Sequence, residues 1–244
     1  MMMEGSRSSS SRNCFTCQAR GRTEWCVLTD EELKLVDKSK VSRDYLPGEV
    51  IFHEADACQG IHCIESGLVG VRKMNANGQE ILLRLGYPGD TLGYRSMLSG
   101  DDHNNSAEAL EPSVVCFIDA TTVRTLLIRN PTLGLRFLNH AATDLGAAED
   151  KVLQSTTLPV RARFAHLLLV LKDRYGVVGE DGAMVLELPL SRQDMAAMIG
   201  IRPESMSRTI RSFEDDEIAR FSGRRVHVRN IDDLIEEMEM AEGL

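Results

Sequence analysis

Residues 191–213 read SRQDMAAMIGIRPESMSRTIRSF, and their local chemistry spells two short helices joined at a glycine. Ser191 with Asp194 three residues on is a capping box, each side chain able to satisfy a free N–H of the first turn. Met195, Ala196 and Ile199 supply the buried side, and Ala196 is small enough for a second helix to cross closely. Gly200 ends the first helix and makes the turn. Pro203 opens the second at its first position, where a missing N–H costs nothing. On that helix Met206, Ile210 and Phe213, spaced by four and three, face inward. Glu204, Ser207, Arg208 and Arg211 share the opposite face.

That outward face carries base-reading chemistry. An arginine donates two bonds to guanine O6 and N7, a glutamate accepts from cytosine N4, and a serine is permissive. Residues at the N-terminal end of such a helix are the ones that reach base edges. Arg202 stands just ahead of it. Downstream, the stretch 220–229 holds Gly223 as a turn beside Arg224, Arg225 and His227, a basic hairpin suited to phosphates. The plainer alternative is a solvated Glu204–Arg208 pair, worth only about 0.3–0.5 kcal/mol. Inside a helix-turn-helix followed by a basic hairpin, base reading is the stronger expectation. The formal net charge of −9, from 28 basic and 37 acidic residues, does not oppose it. Residues 191–230 hold eight arginines against six acids, whereas 231–244 hold six acids and no base. Local charge governs phosphate contact, because screening acts within about 10 Å.

Upstream, RFAHLLLVLKDRY (163–175) reads as a helix after Pro159. Before it, Asn130-Pro131 is a helix start, asparagine as cap and proline in the first turn. Leu135, Leu138, Ala142, Leu145, Glu149, Val152 and Thr156 then recur at alternating spacings of three and four. That is a seam of about three heptads for pairing with a second copy. Glu149 is the charged member; facing its own copy, it is expected to weaken the pairing and bias the chain towards monomer. Earlier still, residues 41–119 read as short strands such as VIFHE, VGVRKM and EILLRL between closely spaced glycines. Asn77-Gly78 is a hairpin signal, since both residues tolerate positive φ. Many short strands with tight turns point to a small barrel or jelly roll. The fold class expected is therefore α+β. A disordered arm and cysteine cluster (1–28) precede a β-roll (29–129), a dimerisation helix (130–158) and a winged helix-turn-helix (159–244).

Several classes fall away. No apolar run approaches the ~20 residues that span a bilayer. MMMEGSRSSSSR (1–12) has no signal-peptide core, so a disordered arm and a cytoplasmic location are expected. There is no P-loop, no Gly-x-Ser-x-Gly elbow, no HExxH and no convincing acid–base pair, so no enzyme is expected.

The order of roll, long helix and winged helix-turn-helix resembles the CRP/FNR family over nearly the whole chain. GIRPESMSRTIRSF is similar to that family's recognition helix, and its Glu204-x-x-Ser207-Arg208 pattern resembles the FNR branch. The resemblance implies a homodimer on double-stranded DNA with TTGAT-like inverted repeats, acting on RNA polymerase. The cyclic-AMP branch holds its nucleotide with a Gly-Glu pair and a later Arg-Ser/Thr. Here the matching stretches read Gly93-Tyr94-Arg95 and Asn104-Asn105-Ser106, so no cyclic nucleotide is expected.

Cys14, Cys17 and Cys26 form C-x2-C-x8-C, three of six cysteines in a chain expected to meet a reducing compartment. FNR-type sensors hold a [4Fe-4S] cluster with an N-terminal cysteine group plus one cysteine in the roll. The segment ALEPSVVCFI resembles the surroundings of that last ligand, which makes Cys116 the match. Four thiolates meet the cluster's requirement. The gap before Cys26 is longer than in the best-known members. A four-thiolate zinc site, a thiol–disulfide switch, or a small-molecule or haem effector in the roll are the alternatives. Cys63, between Ile61 and Ile64, reads as a buried thiol, and His53, His62 and His103 show no ligand spacing.

Overall fold

The computed structural model describes residues 13–78, 80–179 and 183–242. The arm read from residues 1–12 lies outside them. The chain divides into two compact units, one ending at Asp144 and the other beginning at Leu145.

The first unit opens with two 3-10 turns, Arg20–Arg22 and Glu24–Val27, and then α1 (Asp30–Ser39). A capping box of Thr29 and Glu32 starts α1. Eight strands follow: β1 (Val41–Tyr45), β2 (Val50–Phe52), β3 (Gly60–Ser66), β4 (Val69–Met74), β5 (Glu80–Gly86), β6 (Thr91–Leu92), β7 (Ser106–Ala109) and β8 (Ser113–Asp119). A short α2 (Tyr94–Ser99) interrupts them and α3 (Ala120–Arg129) closes the set. They form two antiparallel four-stranded sheets, ordered β1-β8-β3-β6 and β2-β7-β4-β5. This is the expected roll.

Strand β3 is buried without alternation along its first five residues, Gly60 to Ile64. Ile61 and Cys63 point to a cluster shared with Trp25, Leu33, Val36, Val123 and Leu126. Ile64 points to the roll interior with Val69, Val71 and Val115. A strand covered on both faces has no polar side to alternate. The hairpin between β4 and β5 forms where expected, by a different turn. Asn75 Oδ1 accepts from the Asn77 N–H at 2.9 Å and its carbonyl from the Gly78 N–H at 3.0 Å. Positive φ therefore falls on Gly78 alone of the pair, not on Asn77.

Helix α4 (Pro131–Thr157) runs through the division between the units. Asn130 caps it, its Oδ1 accepting from the Leu133 N–H at 3.2 Å. Leu133 and Phe137 are buried. Leu135, Leu138, Leu145 and Val152 are each more than 60% exposed, with Ala142, Glu149 and Thr156 exposed on the same stripe. Nothing within the chain covers that seam among the described residues.

The second unit continues with α5 (Val160–Tyr175), β9 (Gly176–Val178), β10 (Met184–Glu187), α6 (Arg192–Met198), α7 (Pro203–Asp215), β11 (Ala219–Ser222), β12 (Arg225–Val228) and α8 (Ile231–Glu242). Its antiparallel sheet runs β11-β12-β10-β9. Phe164, Leu168, Leu186, Met206, Phe213 and Val228 are fully buried. The acidic C-terminal stretch is thus a packed helix, with Leu234 fully buried. Its Glu237 answers Arg161, whose Nε donates to Glu237 Oε2 at 2.9 Å and whose Nη1 donates to Asp216 Oδ2 at 2.7 Å. The same guanidinium lies over the Phe213 ring at 5.0 Å. No helix among the described residues is long and apolar enough to cross a membrane.

Candidate DNA-reading face and cysteine site

The helix-turn-helix forms as its local chemistry dictates. Ser191 Oγ accepts from the Asp194 N–H at 3.0 Å, and Asp194 Oδ2 accepts from the Ser191 N–H at 3.2 Å. Gly200 takes φ +70°, a conformation that costs a residue with a Cβ about 1–2 kcal/mol. Arg163 locks the turn by donating to the Ile199 carbonyl at 2.6 Å. Pro203 sits at the start of α7, after Arg202. Met206, Ile210 and Phe213 are buried, while Arg202, Glu204, Ser207, Arg208 and Arg211 are exposed. Phe213 meets Phe164 edge-on at 5.1 Å, and Phe164 stacks on Phe221 of β11 at 5.7 Å. The helix that presents Glu204, Ser207 and Arg208 is therefore held from behind by an aromatic stack. β11 and β12 pair antiparallel around Gly223 at φ +61°, leaving Arg224 and Arg225 exposed at the tip. All the residues read as DNA contacts thus lie on α7 with its cap and on the β11–β12 hairpin, within one unit.

All six cysteines are free. Cys116 lies on β8 opposite Cys63 of β3 and Ser42 of β1. Its sulfur sits 3.2 Å from Ser42 Oγ and donates to Glu65 Oε2 at 3.7 Å. The Cys14 N–H donates to Asp37 Oδ1 at 2.7 Å, and its side chain packs against the cluster holding Cys63 and Cys116. Burial pushes the Cys14 thiol up to about 12; Lys40 opposes this, while Asp37 and Cys116 add to it. Burial likewise raises Cys116, which feels the charge of Cys17. Of the four expected ligands, Cys14 and Cys116 thus share one packed cluster. Cys26 is exposed, and its sulfur accepts a hydrogen bond from Arg136 Nη2 of α4 at 3.2 Å. Among the described residues no three Cys, His, Asp or Glu side chains are grouped so as to hold a metal ion. The donors fit a four-thiolate group in kind and number; in position Cys26 is held elsewhere.

A second polar group lies beside Cys26. Glu24 is buried, yet its Oε1 meets His140 Nδ1 at 2.5 Å and its Oε2 accepts from Thr91 Oγ1 at 2.6 Å. His140 is raised above its ordinary value, first by the bond to Glu24. It stacks on Tyr94 at 4.7 Å, and the Tyr94 hydroxyl donates to Asp144 at 2.9 Å. Sequence patterns do not point to this group; the one signal available was the chain's single tryptophan, Trp25, a residue type that is usually packed. Tyr94 also borders a small cavity. The cavity there, lined by Arg84, Arg95, Ser96, Asn104 and Asn105 among others, holds about 10 Å³, room for about one water.

The family profile "Cyclic nucleotide-binding domain" matches residues 42–130, and the profile "Crp-like helix-turn-helix domain" matches residues 162–237. The chain is 27% identical to the "Probable transcriptional regulator flp" of Lacticaseibacillus casei, over 85% of this chain and 91% of that protein. It is 23% identical to the "Anaerobic regulatory protein" of Haemophilus influenzae, over 90% and 86% respectively. FixK2 of Bradyrhizobium japonicum is structurally similar with a TM-score of 0.68 at 25% identity, covering 81% of this chain and 96% of that one.

Proposed function

Because the chain belongs to the CRP/FNR family of transcription regulators, we propose that it binds inverted-repeat DNA with TTGAT-like half-sites as a homodimer. We infer further that Cys14, Cys17, Cys26 and Cys116 hold an iron–sulfur cluster that gates this binding. The observation that carries the DNA half is the exposed Glu204, Ser207 and Arg208 face on a helix fixed by buried aromatics. Dimerisation is supported by the uncovered apolar stripe of α4. Two recognition helices related by a twofold axis would then meet half-sites about one DNA turn apart. RNA polymerase is the partner such an output requires.

Arg208→Ala is expected to weaken binding to a specific duplex by about 1–3 kcal/mol, roughly 5- to 150-fold, with non-specific binding nearly unchanged. Arg224→Ala should weaken all duplexes alike and lower the salt slope by about one. Titrations at two salt concentrations on matched and scrambled duplexes check both. Equal losses on both duplexes for Arg208→Ala would remove it from base reading.

The gating half is supported by the packing of Cys14 against the cluster that holds Cys116 and by the name of the Haemophilus relative. When bound, a cluster supplies a centre reactive towards oxygen or nitric oxide. Anaerobic purification is expected to yield about four iron and four sulfide per chain, and Cys116→Ala should lose them. A wild-type protein without sulfide sinks the cluster and turns the search to zinc, thiols or an effector in the roll.

A further inference from the structure

Glu217 is one of two residues other than glycine that take positive φ among the described residues, at +58°. It follows α7 where a helix ends in the left-handed conformation. The Ile218 N–H donates to the Phe213 carbonyl at 3.0 Å, and the Glu217 N–H donates to the Glu214 carbonyl at 3.2 Å. Glycine fills this position at least cost, because a Cβ crowds the backbone there. Strain of this kind gathers at binding sites. The Glu217 carboxylate accepts from Arg229 Nη1 at 3.2 Å, and both side chains are exposed.

Both residues border a cavity of about 250 Å³ lined by Glu217, Ala219, Arg220, His227 and Arg229, ample for a tetrahedral phosphate group. Strand alternation brings its cations together. Ala219 pairs with Val228 across the hairpin, and both are buried, as is Val226 opposite Phe221. Arg220 pairs with His227 on the other face, where Arg220, Arg225 and Arg229 are exposed. From Arg225 to Arg229 that face runs about 13 Å, a length over which one DNA strand presents about four phosphates. Of the lining residues only Glu217 is acidic. Glu214 is engaged by the Phe221 N–H at 3.1 Å and Asp216 by Arg161, while Asp215 lies outside the lining. A carboxylate held on an arginine in such a cavity occupies the place that another oxyanion can take.

We propose that this cavity binds a phosphate group, with Arg220 and Arg229 supplying the charge and Glu217 as a built-in competitor that holds Arg229 until a phosphate displaces it. The phosphate has two sources. One is the DNA backbone flanking a half-site, which rests on the DNA-binding reading above; the other is free phosphate in solution. No covalent bond changes in either case. The Glu217–Arg229 pair opens, and the arginine N–H groups turn to phosphate oxygens. Against DNA, Glu217 thereby lowers the sequence-independent part of the affinity.

The test compares full-length wild type, Arg220→Ala, Arg229→Ala, Glu217→Gln and Glu217→Gly in two arms. In the first, salt-dependent affinity is measured on a duplex trimmed to its two half-sites and on one extended by about a turn at each end. If the phosphate is that of flanking DNA, each arginine variant lowers the salt slope on the long duplex by about one and leaves the trimmed duplex unchanged. In the second, the melting of DNA-free protein is followed in inorganic phosphate against chloride at equal ionic strength. If the phosphate is free, the wild type gains more than the arginine variants do. In whichever arm responds, Glu217→Gln and Glu217→Gly are expected to tighten binding alike, up to about fivefold, the ceiling for releasing an exposed ion pair. Glu217→Gly alone should also melt higher without any ligand, since it alone relieves the left-handed backbone. Arg220→Gln, which keeps hydrogen bonding without the charge, replaces an alanine variant that fails to fold. Arginine variants that match the wild type in both arms overturn the site, and Glu217 variants that bind no tighter overturn the competitor. If the wild type binds no duplex, the DNA reading fails on that count and the phosphate arm alone decides the cavity.

Discussion

Phe213→Ala is expected to destabilise the DNA-binding unit by about 3–5 kcal/mol, the usual loss when a fully buried phenylalanine is truncated. Phe213 has no exposed surface and carries two further attachments besides its burial. Its ring meets Phe164 edge-on at 5.1 Å, a geometry worth about 0.5–1.5 kcal/mol beyond area. The Arg161 guanidinium lies over the same ring, and loses that face when the ring goes. A domain of this size holds about 5–15 kcal/mol in all, so the loss removes a large share of it. Calorimetry should show one transition lowered by about 4–8 °C per kcal/mol, with specific and non-specific DNA binding lost together. Arg208→Ala gives the contrasting pattern, an unchanged transition with only specific binding lost. An unmoved transition in Phe213→Ala would mean that the aromatic stack does not support α7.

The parts of this molecule legible in the sequence are those whose cause is local. Ser191 with Asp194, Gly200 and Pro203 each act within four residues, and every one of them takes its expected place. The seam of α4 is legible for the same reason, since helical periodicity sorts Leu135, Leu138 and Leu145 from Phe137 without reference to anything distant. What escaped is long-range. Glu24 and His140 are 116 residues apart, and neither has a periodic neighbour that marks it. Cys26 shares a spacing with Cys14 and Cys17, but its direction is set by Arg136, which belongs to another element. The acidic C-terminus reads as a charge imbalance, whereas its Glu237 is the partner of Arg161. At Asn77-Gly78 the turn was legible and its type was not, because Asn75 supplies the side-chain bond that decides it.

The histidines give the clearest case, and the one with a pH consequence. His62 and His103 show no ligand spacing, yet β3 and the segment before β7 bring their rings to 6.2 Å, with Phe52 stacked on His103 at 3.9 Å. His62 is buried against Phe52 and Phe117, each at 5.0 Å, and its Nδ1 has no hydrogen-bond partner among the described residues. Burial first, and the charge of His103 second, push His62 down to about 4 from its ordinary 6.5. Between those values the unfolded chain takes up a proton that the folded one refuses, so stability is full above pH 6.5 and falls as pH drops towards 4. The whole window corresponds to about 3 kcal/mol, of which about 2 kcal/mol is gone by pH 5. His103, also lowered by burial though opposed by Asp56 and Asp102, acts in the same direction. His140, held up by Glu24, acts in the opposite one, so the net slope of the wild type mixes three groups. His62→Phe isolates one of them. Denaturant unfolding of wild type and variant at pH 7 and pH 5 should show the variant losing about 2 kcal/mol less over that interval. If the two proteins lose the same amount, His62 accepts its proton in the folded roll without cost, and the aromatic enclosure between the two sheets opens far more readily than its packing implies.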